Sequence, residues 1–471
     1  MTKKVLLFTP PSGLYRRDDR CQSRVEDQTV NIIFPPIDLA QLASIVRDKG
    51  AVVTILDLPA MKKDWDYLKN ILSDFKPEII LFNVTTATID SDLKSAELAK
   101  NIDPKIITIA KGEYLNIFGE KILSANQYLD IIIYGEPEIT FGEIYEGKKI
   151  EDINGIIYRK DDKIIRNPER EFEKNLGDFP IPARDLFDNN LYRSPETNNK
   201  ITVIYASRGC PGKCLFCPAS RVSGSKIRIR PPENILKEIK DCVFNHNIRE
   251  FLFNGDTFTI NKKWVRELCS LIVKENLKIR WGCNSRVDTI DEETLEMMKK
   301  AGCWVIAYGI ESGVQELLDK MGKGATLEQA RRAIEITKKV GIRTHAFYII
   351  GLPWETEETL KQTLQFAKEL DTDFFDINIA YPLPGTEYYD MAIKENLMEG
   401  NPLTLGGYAD AIVRSYKLSA DELIKWRKKM LWNLYLRPRY IIRTLYKAGS
   451  IRKIFLYIKA AIKRAIYLLS K

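Results

Sequence analysis

The sequence predicts two α/β domains followed by a helical region: a doubly wound, Rossmann-like domain first, and then a partial or complete (β/α) barrel. The 471 residues exceed the size of one hydrophobic core, so more than one domain is expected. Short apolar runs alternate with amphipathic stretches in both halves, and helical periodicity replaces this pattern beyond about residue 400. The predicted boundaries are 1–150, 151–200, 201–400 and 401–471.

Five apolar runs in the first half are typical of parallel strands that are buried on both faces. They are KVLLFTP, AVVTILDL, EIILFNVTT, KIITIAKG and LDIIIYGE. Ligands of a doubly wound sheet bind at the carboxyl ends of its strands. We therefore expect a ligand of this domain near TPPSG, NVTTAT, IAKGEY and YGEPE.

Residues 151–200 read as a linker that contains a hairpin around Asp161 and a Pro-rich extended segment. Strand and helix signals then resume, and their spacing predicts the barrel. The predicted strands are KITVIYASRG, REFLFNGD, KIRWGCNS, CWVIAYGIES, RTHAFYIIGLP and FFDINIAYPLP. Barrel chemistry takes place at the carboxyl ends of the strands, and the unusual polar and Gly-containing motifs of this half fall there.

The net charge of +8 is concentrated near the end of the sequence, because residues 421–471 contain 14 Lys/Arg and 2 Asp/Glu. The first apolar run is too short for a signal peptide, and no window reaches the length of a membrane span. We therefore expect a cytoplasmic, reducing location. Clustered cysteines then indicate metal binding or catalysis rather than disulfides.

Three of the eight cysteines lie together in SRGCPGKCLFCPAS. A structural zinc site usually takes four ligands in two close pairs, and the chain's two histidines stand in no ligand-spaced cluster. Three thiolates on an iron–sulfur cubane would leave one iron open to a small molecule. Gly209, Pro211 and Gly212 disfavour helix here, so the loop could wrap a cluster. The alternative is that these are buried apolar cysteines that happen to lie close together.

Cys210-x-x-x-Cys214-x-x-Cys217 resembles the signature of the radical S-adenosylmethionine (SAM) superfamily, in which these cysteines hold a [4Fe–4S] cluster. Four further segments resemble, in the expected order, the segments of that family that contact SAM: FNGD, NSR, GIESG and FYIIGLPWET. The resemblance covers roughly residues 200–390. It implies SAM contacts from Phe216, Asn254, Gly255, Asp256, Asn284, Arg286, Glu311 and Gly351.

The resemblance implies reductive cleavage of SAM to a 5′-deoxyadenosyl radical, with an electron donor such as ferredoxin or flavodoxin. Several of these residues also have a purely structural interpretation. Glu311 could cap a helix, Arg286 could form a surface ion pair, and Gly351 could allow a turn. His345 is interpreted as a core histidine with its hydrogen bonds satisfied.

The first domain resembles the cobalamin-binding class of radical SAM proteins, on the segments PPIDLAQLASIVRDKGAVVTILD and YGEPEITFGEI. The resemblance implies cobalamin contacts from Thr85, Thr86, Ala110 and Gly112. The histidine that ligates cobalt in many cobalamin domains is missing, because the first histidine of the chain is His246. The alternative is a degenerate domain that only packs against the barrel. The polar segment 13–24 is interpreted as a substrate or cofactor loop, or as a solvated loop.

Residues 451–471 predict an amphipathic helix with a basic polar face. We interpret it as a peripheral contact with an anionic membrane surface, the inner face of the membrane. The alternative is an ordinary helix docked on the barrel. No nucleic-acid module is evident, so no nucleic-acid partner is expected.

Together these observations predict a radical SAM enzyme that methylates, cyclises or rearranges an unactivated carbon, with a small-molecule or lipid-like substrate. The resembling class includes methyltransferases and the anaerobic porphyrin cyclase. One alternative is an RNA methylthiotransferase. That class carries a second cluster in its first domain, whereas the first domain of this chain has a single cysteine, Cys21. Another is a non-catalytic cobalamin or iron–sulfur sensor.

Overall fold

The computed structural model describes residues 2–18, 21–25, 32–400, 409–449 and 454–458. Its first region contains β1 (Lys4–Thr9), β2 (Tyr15–Asp18), β3 (Cys21–Arg24), α1 (Ile37–Asp48), β4 (Val52–Asp57), α2 (Leu58–Met61), α3 (Trp65–Phe75), β5 (Ile79–Asn83), α4 (Ile89–Asp92), α5 (Lys94–Ile102), β6 (Ile107–Lys111), α6 (Glu113–Ala125), β7 (Ile131–Ile133), α7 (Pro137–Glu146), β8 (Ile156–Lys160) and β9 (Lys163–Arg166).

The first sheet has the strand order β4-β1-β5-β6-β7-β8-β9. Its first five strands are parallel, and β8 and β9 add an antiparallel hairpin at one edge. The central strands are buried throughout, because helices cover both faces of the sheet. The hairpin that the sequence placed in a linker therefore extends this sheet. The predicted domain division at residues 150 and 200 stays a prediction.

The second region contains β10 (Ile201–Tyr205), β11 (Ser207–Arg208), α8 (Ala219–Val222), β12 (Arg228–Ile229), α9 (Pro232–Asn245), β13 (Glu250–Asn254), α10 (Lys262–Lys274), β14 (Arg280–Ser285), α11 (Glu292–Lys300), β15 (Cys303–Glu311), α12 (Gln315–Lys320), α13 (Leu327–Lys339), β16 (Arg343–Ile350), α14 (Glu357–Leu370), β17 (Phe374–Ile379), α15 (Glu387–Lys394), α16 (Ala420–Tyr435) and α17 (Pro438–Ala448).

The second sheet is a partial barrel of six parallel strands in the order β10-β13-β14-β15-β16-β17. Buried and partly exposed residues alternate from end to end in β16 and β17. The buried set packs with the surrounding helices in the main core. The partly exposed set therefore faces the inside of the barrel, which we call the lumen. The strand ends that precede each helix form the carboxyl rim of the barrel.

Helices of the barrel begin where the sequence provides caps. The Thr326 hydroxyl accepts a hydrogen bond from the Gln329 amide, and the Gln329 side chain bonds back, which forms a capping box before α13. Ser419 and Glu422 form a second capping box before α16. Among the described helices, none combines the length and the apolar composition needed to cross a lipid bilayer.

The segment between the two sheets is anchored by Arg184, which is fully buried. Its guanidinium donates to Glu238 on α9 at 2.5 Å and to the carbonyl oxygen of Val203 on β10 at 2.9 Å. Two charges taken out of water are tolerated only when their geometry and remaining hydrogen bonds are good. This pair therefore fixes the connecting segment to the barrel wall.

Replacing Arg184 with methionine is expected to destabilise the fold by about 1.5–3 kcal/mol, because the buried Glu238 would lose one of its two cationic partners and keep only Arg230. The Arg47–Asp185 pair is a matched control, since its side chains are 41% and 55% exposed. Arg47→Met should cost at most about 1 kcal/mol. Urea unfolding followed by tryptophan fluorescence measures both changes. Equal midpoints for the two variants would contradict the role given to Arg184.

Candidate active site at the facing strand ends

The cysteine loop connects β11 to α8 at the carboxyl rim of the barrel. Gly209 begins it with φ +93°, and a side chain there would clash with the carbonyl oxygen of Lys226. The Gly209 amide donates to the carboxylate of Asp256 at 2.6 Å. Farther along, the Leu215 amide bonds the carbonyl of Met321 at 3.0 Å. The loop is therefore held at two points, by the segment after β13 and by the end of α12.

Cys210, Cys214 and Cys217 are all partly buried in this loop. A side-chain carbon added at Gly212 would lie 3.3 Å from Cys210 Sγ and 3.9 Å from Cys214 Sγ, so these two sulfurs flank the same point. Within the described ranges, no group of three or more His, Cys, Asp or Glu side chains converges on a single metal ion. The loop chemistry fits a ligand several ångströms across, such as a cluster, better than one ion.

Two cations face this loop. Burial raises the pKa of the Cys214 thiol above its ordinary value, while the charges of Lys323 and Arg286 act in the opposite direction. A negatively charged cluster with thiolate ligands would meet the same two cations. Four further cysteines, Cys242, Cys269, Cys283 and Cys303, are buried in the core, where burial raises the pKa of Cys242 to about 12.

The strongest electrostatic feature of the rim is the ion pair between Glu311 and Lys323. Lys323 Nζ lies 2.6 Å from Glu311 Oε1, and both side chains are only 8% exposed. Burial lowers the pKa of Lys323, but Glu311 and Cys214 more than offset it and hold that pKa above its usual value. Glu311 also has φ +66° at a register shift in β15, the kind of strained backbone that clusters at functional sites.

Sequence reasoning missed Lys323. It follows α12 between Gly322 and Gly324, where nothing in the pattern marks a buried lysine. Arg286, which was predicted, donates to Asp288 at 2.8 Å and to the carbonyl oxygen of Lys323 at 2.9 Å. The Asp288 hydrogen bond raises the pKa of Arg286. Asn284 lies beside them, partly buried at the end of β14.

The segment after β13 also lies at this rim. Asn254 is buried and its carbonyl oxygen accepts the Ala206 amide at 2.7 Å. A side-chain carbon at Gly255 would lie 2.5 Å from Ser207 Oγ. Asp256 accepts the Gly209 amide, so Asn254, Gly255 and Asp256, the three SAM contacts predicted here, all support the start of the cysteine loop.

Gly351 and Phe216 lie on the opposite side of the rim. Gly351 has φ +88°, and a side-chain carbon there would lie 2.9 Å from Leu423 of α16, so backbone conformation and packing both require glycine. Phe216 packs against a small apolar cluster that contains Leu317. Beyond Gly351, burial raises the pKa of Glu355 to about 7.

The predicted cobalamin contacts lie at the carboxyl edge of the first sheet, but most are covered. Thr85, Thr86 and Ala110 are buried, and the Thr85 amide donates to Asp92 at 2.9 Å. Gly112 packs directly against the carbonyl oxygen of Val84, leaving no room for a side chain. These residues hold the edge loops together.

Other side chains of this edge face open space. Lys111 Nζ lies 2.7 Å from the carboxylate of Asp38, which also accepts from Asn83 at 3.0 Å. Burial raises the pKa of Asp38, but the charge and hydrogen bond of Lys111, with hydrogen bonds from the Leu39 amide and Asn83, together hold that pKa below its usual range. The polar groups that a ligand would meet at this edge are therefore Asp38 and Lys111.

Two clefts with open volumes of about 720 Å³ and 1070 Å³ separate this edge from the barrel. They share Asp38, Tyr205 and Asn254 as lining residues, so they adjoin. The larger one is lined by Lys111 at the end of β6, by Glu138 at the start of α7 and by Asp256 from the barrel rim. Arg208 Nη2 bonds Glu138 across the interface at 2.5 Å. A broad, polar cleft at this edge suits a large flat cofactor.

The comparisons match this arrangement. The sequence profile of the Radical SAM superfamily matches residues 204–367, and that of the B12 binding domain matches residues 27–145. An uncharacterized methyltransferase from Pyrococcus horikoshii is 31% identical over 448 residues, covering 94% of this chain and 95% of its own. The chain belongs to the radical SAM superfamily, in the class with a B12-binding domain.

Two further relatives support this membership. The anaerobic magnesium-protoporphyrin IX monomethyl ester cyclase of Rubrivivax gelatinosus is 29% identical, over 76% of this chain and 66% of its own. The radical SAM methyltransferase TsrM from Kitasatospora setae, solved with cobalamin and a [4Fe–4S] cluster, superposes with a TM-score of 0.74 at 16% identity, over 98% of this chain and 99% of its own. The predicted fold class is confirmed, and the protein is a radical SAM enzyme of the methyltransferase or cyclase type.

Proposed function

We propose that this radical SAM enzyme transfers a methyl group to an unactivated carbon, with its cofactors in the cleft that the two sheet edges share. One observation carries the proposal: Lys111 of β6 and Glu138 of α7 line the same cleft as Asp256 of the barrel rim. A methyl carrier at the carboxyl edge of the first sheet would therefore lie next to SAM at the carboxyl rim of the barrel. The methyltransferase among the relatives, matched over nearly its whole length, supports this reaction over cyclisation.

Cys210, Cys214 and Cys217 are the proposed cluster ligands, and Lys323 and Arg286 provide the positive charge around them. When bound, the cluster supplies the electron that cleaves SAM, and cobalamin supplies a methyl carrier. Asp256 keeps the cysteine loop in place through the Gly209 amide. The proposed SAM contacts comprise the predicted residues and Lys323: Phe216, Asn254, Gly255, Asp256, Asn284, Arg286, Glu311, Lys323 and Gly351.

At the first edge, we propose that Asp38 and Lys111 meet the corrin directly. Thr85, Thr86, Ala110 and Gly112 would shape the surface beneath it through the backbone. No histidine precedes His246, so this edge offers no imidazole to cobalt. Lys111 is held in an ion pair, and an ammonium group has no lone pair with which to bind a metal.

The lumen suggests what kind of substrate is bound. Trp304, Phe347 and Phe374 are partly exposed there, and His345 Nε2 lies 3.0 Å from the carboxylate of Asp376 among them. His345 is thus paired, as the sequence interpretation expected, but it is also accessible from the lumen. We propose a substrate with an apolar body and one hydrogen-bonding group, which agrees with a lipid-like molecule.

We extend the proposal to two partners: an electron donor of the ferredoxin or flavodoxin type, and peripheral contact with the inner face of a membrane. The sequence assigned the membrane contact to residues 451–471. Of that segment only residues 454–458 are described, and they are helical. The rest of the predicted tail helix lies outside the described residues.

The products of SAM distinguish methyl transfer from cyclisation. The reconstituted enzyme, loaded with hydroxocobalamin and reduced without oxygen, is expected to release S-adenosylhomocysteine from SAM in a burst stoichiometric with bound cobalamin. Enzyme without cobalamin should release only 5′-deoxyadenosine. If S-adenosylhomocysteine never exceeds the level of the cobalamin-free enzyme, methyl transfer is refuted in favour of cyclisation or rearrangement.

A further inference from the structure

Helix α17 is docked on the barrel through its polar side. It lies against the loop Asp371–Asp373, which precedes β17 at the amino-terminal end of the barrel. Arg443 Nη1 donates to the carbonyl oxygen of Asp371 at 2.6 Å, and Lys447 Nζ lies 2.5 Å from the carboxylate of Asp373. The Tyr440 hydroxyl donates to the carbonyl oxygen of Asp373 at 3.0 Å. Charges and hydrogen bonds therefore hold this helix, together with the buried ring of Tyr440, which packs against Phe375.

The opposite side of α17 is apolar and exposed. Ile441 is 41% exposed, Ile442 68%, Leu445 37% and Tyr446 87%, and we call these four residues the α17 apolar face. Their spacing places them on one stripe of the helix. A surface helix normally turns such a stripe toward the core, so the usual orientation is reversed here. Phe455 at 71% and Ile458 at 46% add exposed apolar surface in the next helical segment.

A contiguous exposed apolar surface of this kind marks an interaction site. The charge around it indicates the partner. No acidic residue follows Glu422 in the sequence, whereas fourteen lysines and arginines do. Arg443 and Lys447 are neutralised by the Asp371–Asp373 loop, and Arg439 beside the apolar face lies 3.7 Å from the Asp371 carboxylate with its side chain 88% exposed. An apolar face on a helix that carries three basic residues and no acidic one suits anionic lipid headgroups over an acyl boundary.

The adjoining end of the barrel is closed by ion pairs. Arg280 lies 2.9 Å from Glu250, Arg343 lies 3.3 Å from Glu196, and the Tyr457 hydroxyl donates to Glu196 at 2.8 Å. A lipid that approached from this side would meet a charged plug rather than an entrance. The surface can therefore anchor the protein but not admit its substrate.

We propose that the α17 apolar face, with Phe455 and Ile458, docks the protein on an anionic lipid bilayer. Docking leaves the carboxyl rim and the interdomain cleft, at the other end of the barrel, free for cofactors, substrate and an electron donor. The inference does not depend on the methyl-transfer reaction, so either can fail without the other.

Co-sedimentation of the full, cluster-loaded chain with vesicles tests this surface. The wild type is expected to bind vesicles of phosphatidylcholine with phosphatidylglycerol at least tenfold more tightly than phosphatidylcholine alone. The double variant I442E/Y446E should lose at least tenfold in affinity, and both sites are exposed enough to leave the fold intact. Ile393→Glu is the matched control, because Ile393 is 54% exposed on α15, which bonds the cysteine loop at the opposite end of the barrel, and this variant should bind as the wild type does.

Three results would overturn the proposal. The first is wild-type protein that ignores anionic vesicles. The second is an I442E/Y446E variant that binds as tightly as the wild type. The same conclusion holds if deletion of residues 459–471 abolishes binding while I442E/Y446E does not weaken it. The third is a concentration-dependent dimer, seen by light scattering, that I442E/Y446E dissociates, since the face would then join two copies of the chain.

Discussion

Replacing Cys214 with alanine is expected to abolish both cluster binding and SAM cleavage. A cubane held by three thiolates already has one open iron, and a chain left with two ligands cannot hold it in the oriented form that SAM requires. The loop around Cys214 is braced at Gly209 by Asp256 and at Leu215 by Met321, so the loss would be chemical rather than a collapse of the loop.

Iron content, the visible spectrum near the charge-transfer region of the cluster, and 5′-deoxyadenosine formation measure this effect. Cys269→Ala is the control: Cys269 is buried on α10, outside the rim, and its replacement should leave all three readouts near wild type. A Cys214→Ala protein that keeps a full complement of iron and cleaves SAM would remove Cys214 from the cluster.

Replacing Lys323 with methionine is expected to have the second largest effect, a loss of roughly 10- to 100-fold in SAM affinity or cleavage rate. Hydrogen bonds to charged groups are each worth about 1.5–3 kcal/mol, and this lysine carries the pair with Glu311. Without Lys323, Glu311 would be a buried carboxylate beside Cys214 that has lost its ion-pair partner. That negative charge disfavours the reduced cluster, so the reduction potential should fall as well.

Two variants separate charge from structure at this position. Lys323→Arg keeps the positive charge and should recover most of the affinity and the potential. Lys320→Met, three residues earlier, removes a lysine whose side chain is 39% exposed and forms an ion pair with Glu316 on its own helix, so it should change neither. Equilibrium SAM binding and an EPR-monitored redox titration measure both quantities. If Lys323→Met matched Lys320→Met in both, Lys323 would have no part in the site.

The fold could be predicted closely from the sequence because its signals are local. Apolar runs such as IILFN in β5 are buried from end to end, and they read as parallel strands without any knowledge of their neighbours. The cysteine loop is equally local, because three ligands within eight residues fall on one connection. The hairpin of β8 and β9 was assigned to a linker because pairing with β7 is a long-range event that composition does not show.

The remainder of the site depends on how distant segments pack. Lys323 becomes a buried cation only because the turn after α12 folds back over β15 and meets Glu311. At the first edge, the sequence singled out Thr85, Thr86 and Ala110 by their place at strand ends. In the structure those three residues are buried, and the cleft is lined instead by Asp38, at the start of α1, and by Lys111. Strand ends predict where a ligand lies, but the side chains that reach it depend on neighbouring elements.

The central claim is that the cysteine loop holds a cubane whose fourth iron is left open for SAM. Mössbauer spectroscopy of the oxygen-free protein, reconstituted with ⁵⁷Fe, tests it directly. The account predicts about four irons per chain in one cluster, and a single iron site whose parameters change when SAM is added. Zinc at the loop, or a cluster whose iron sites all stay unchanged with SAM, would contradict it.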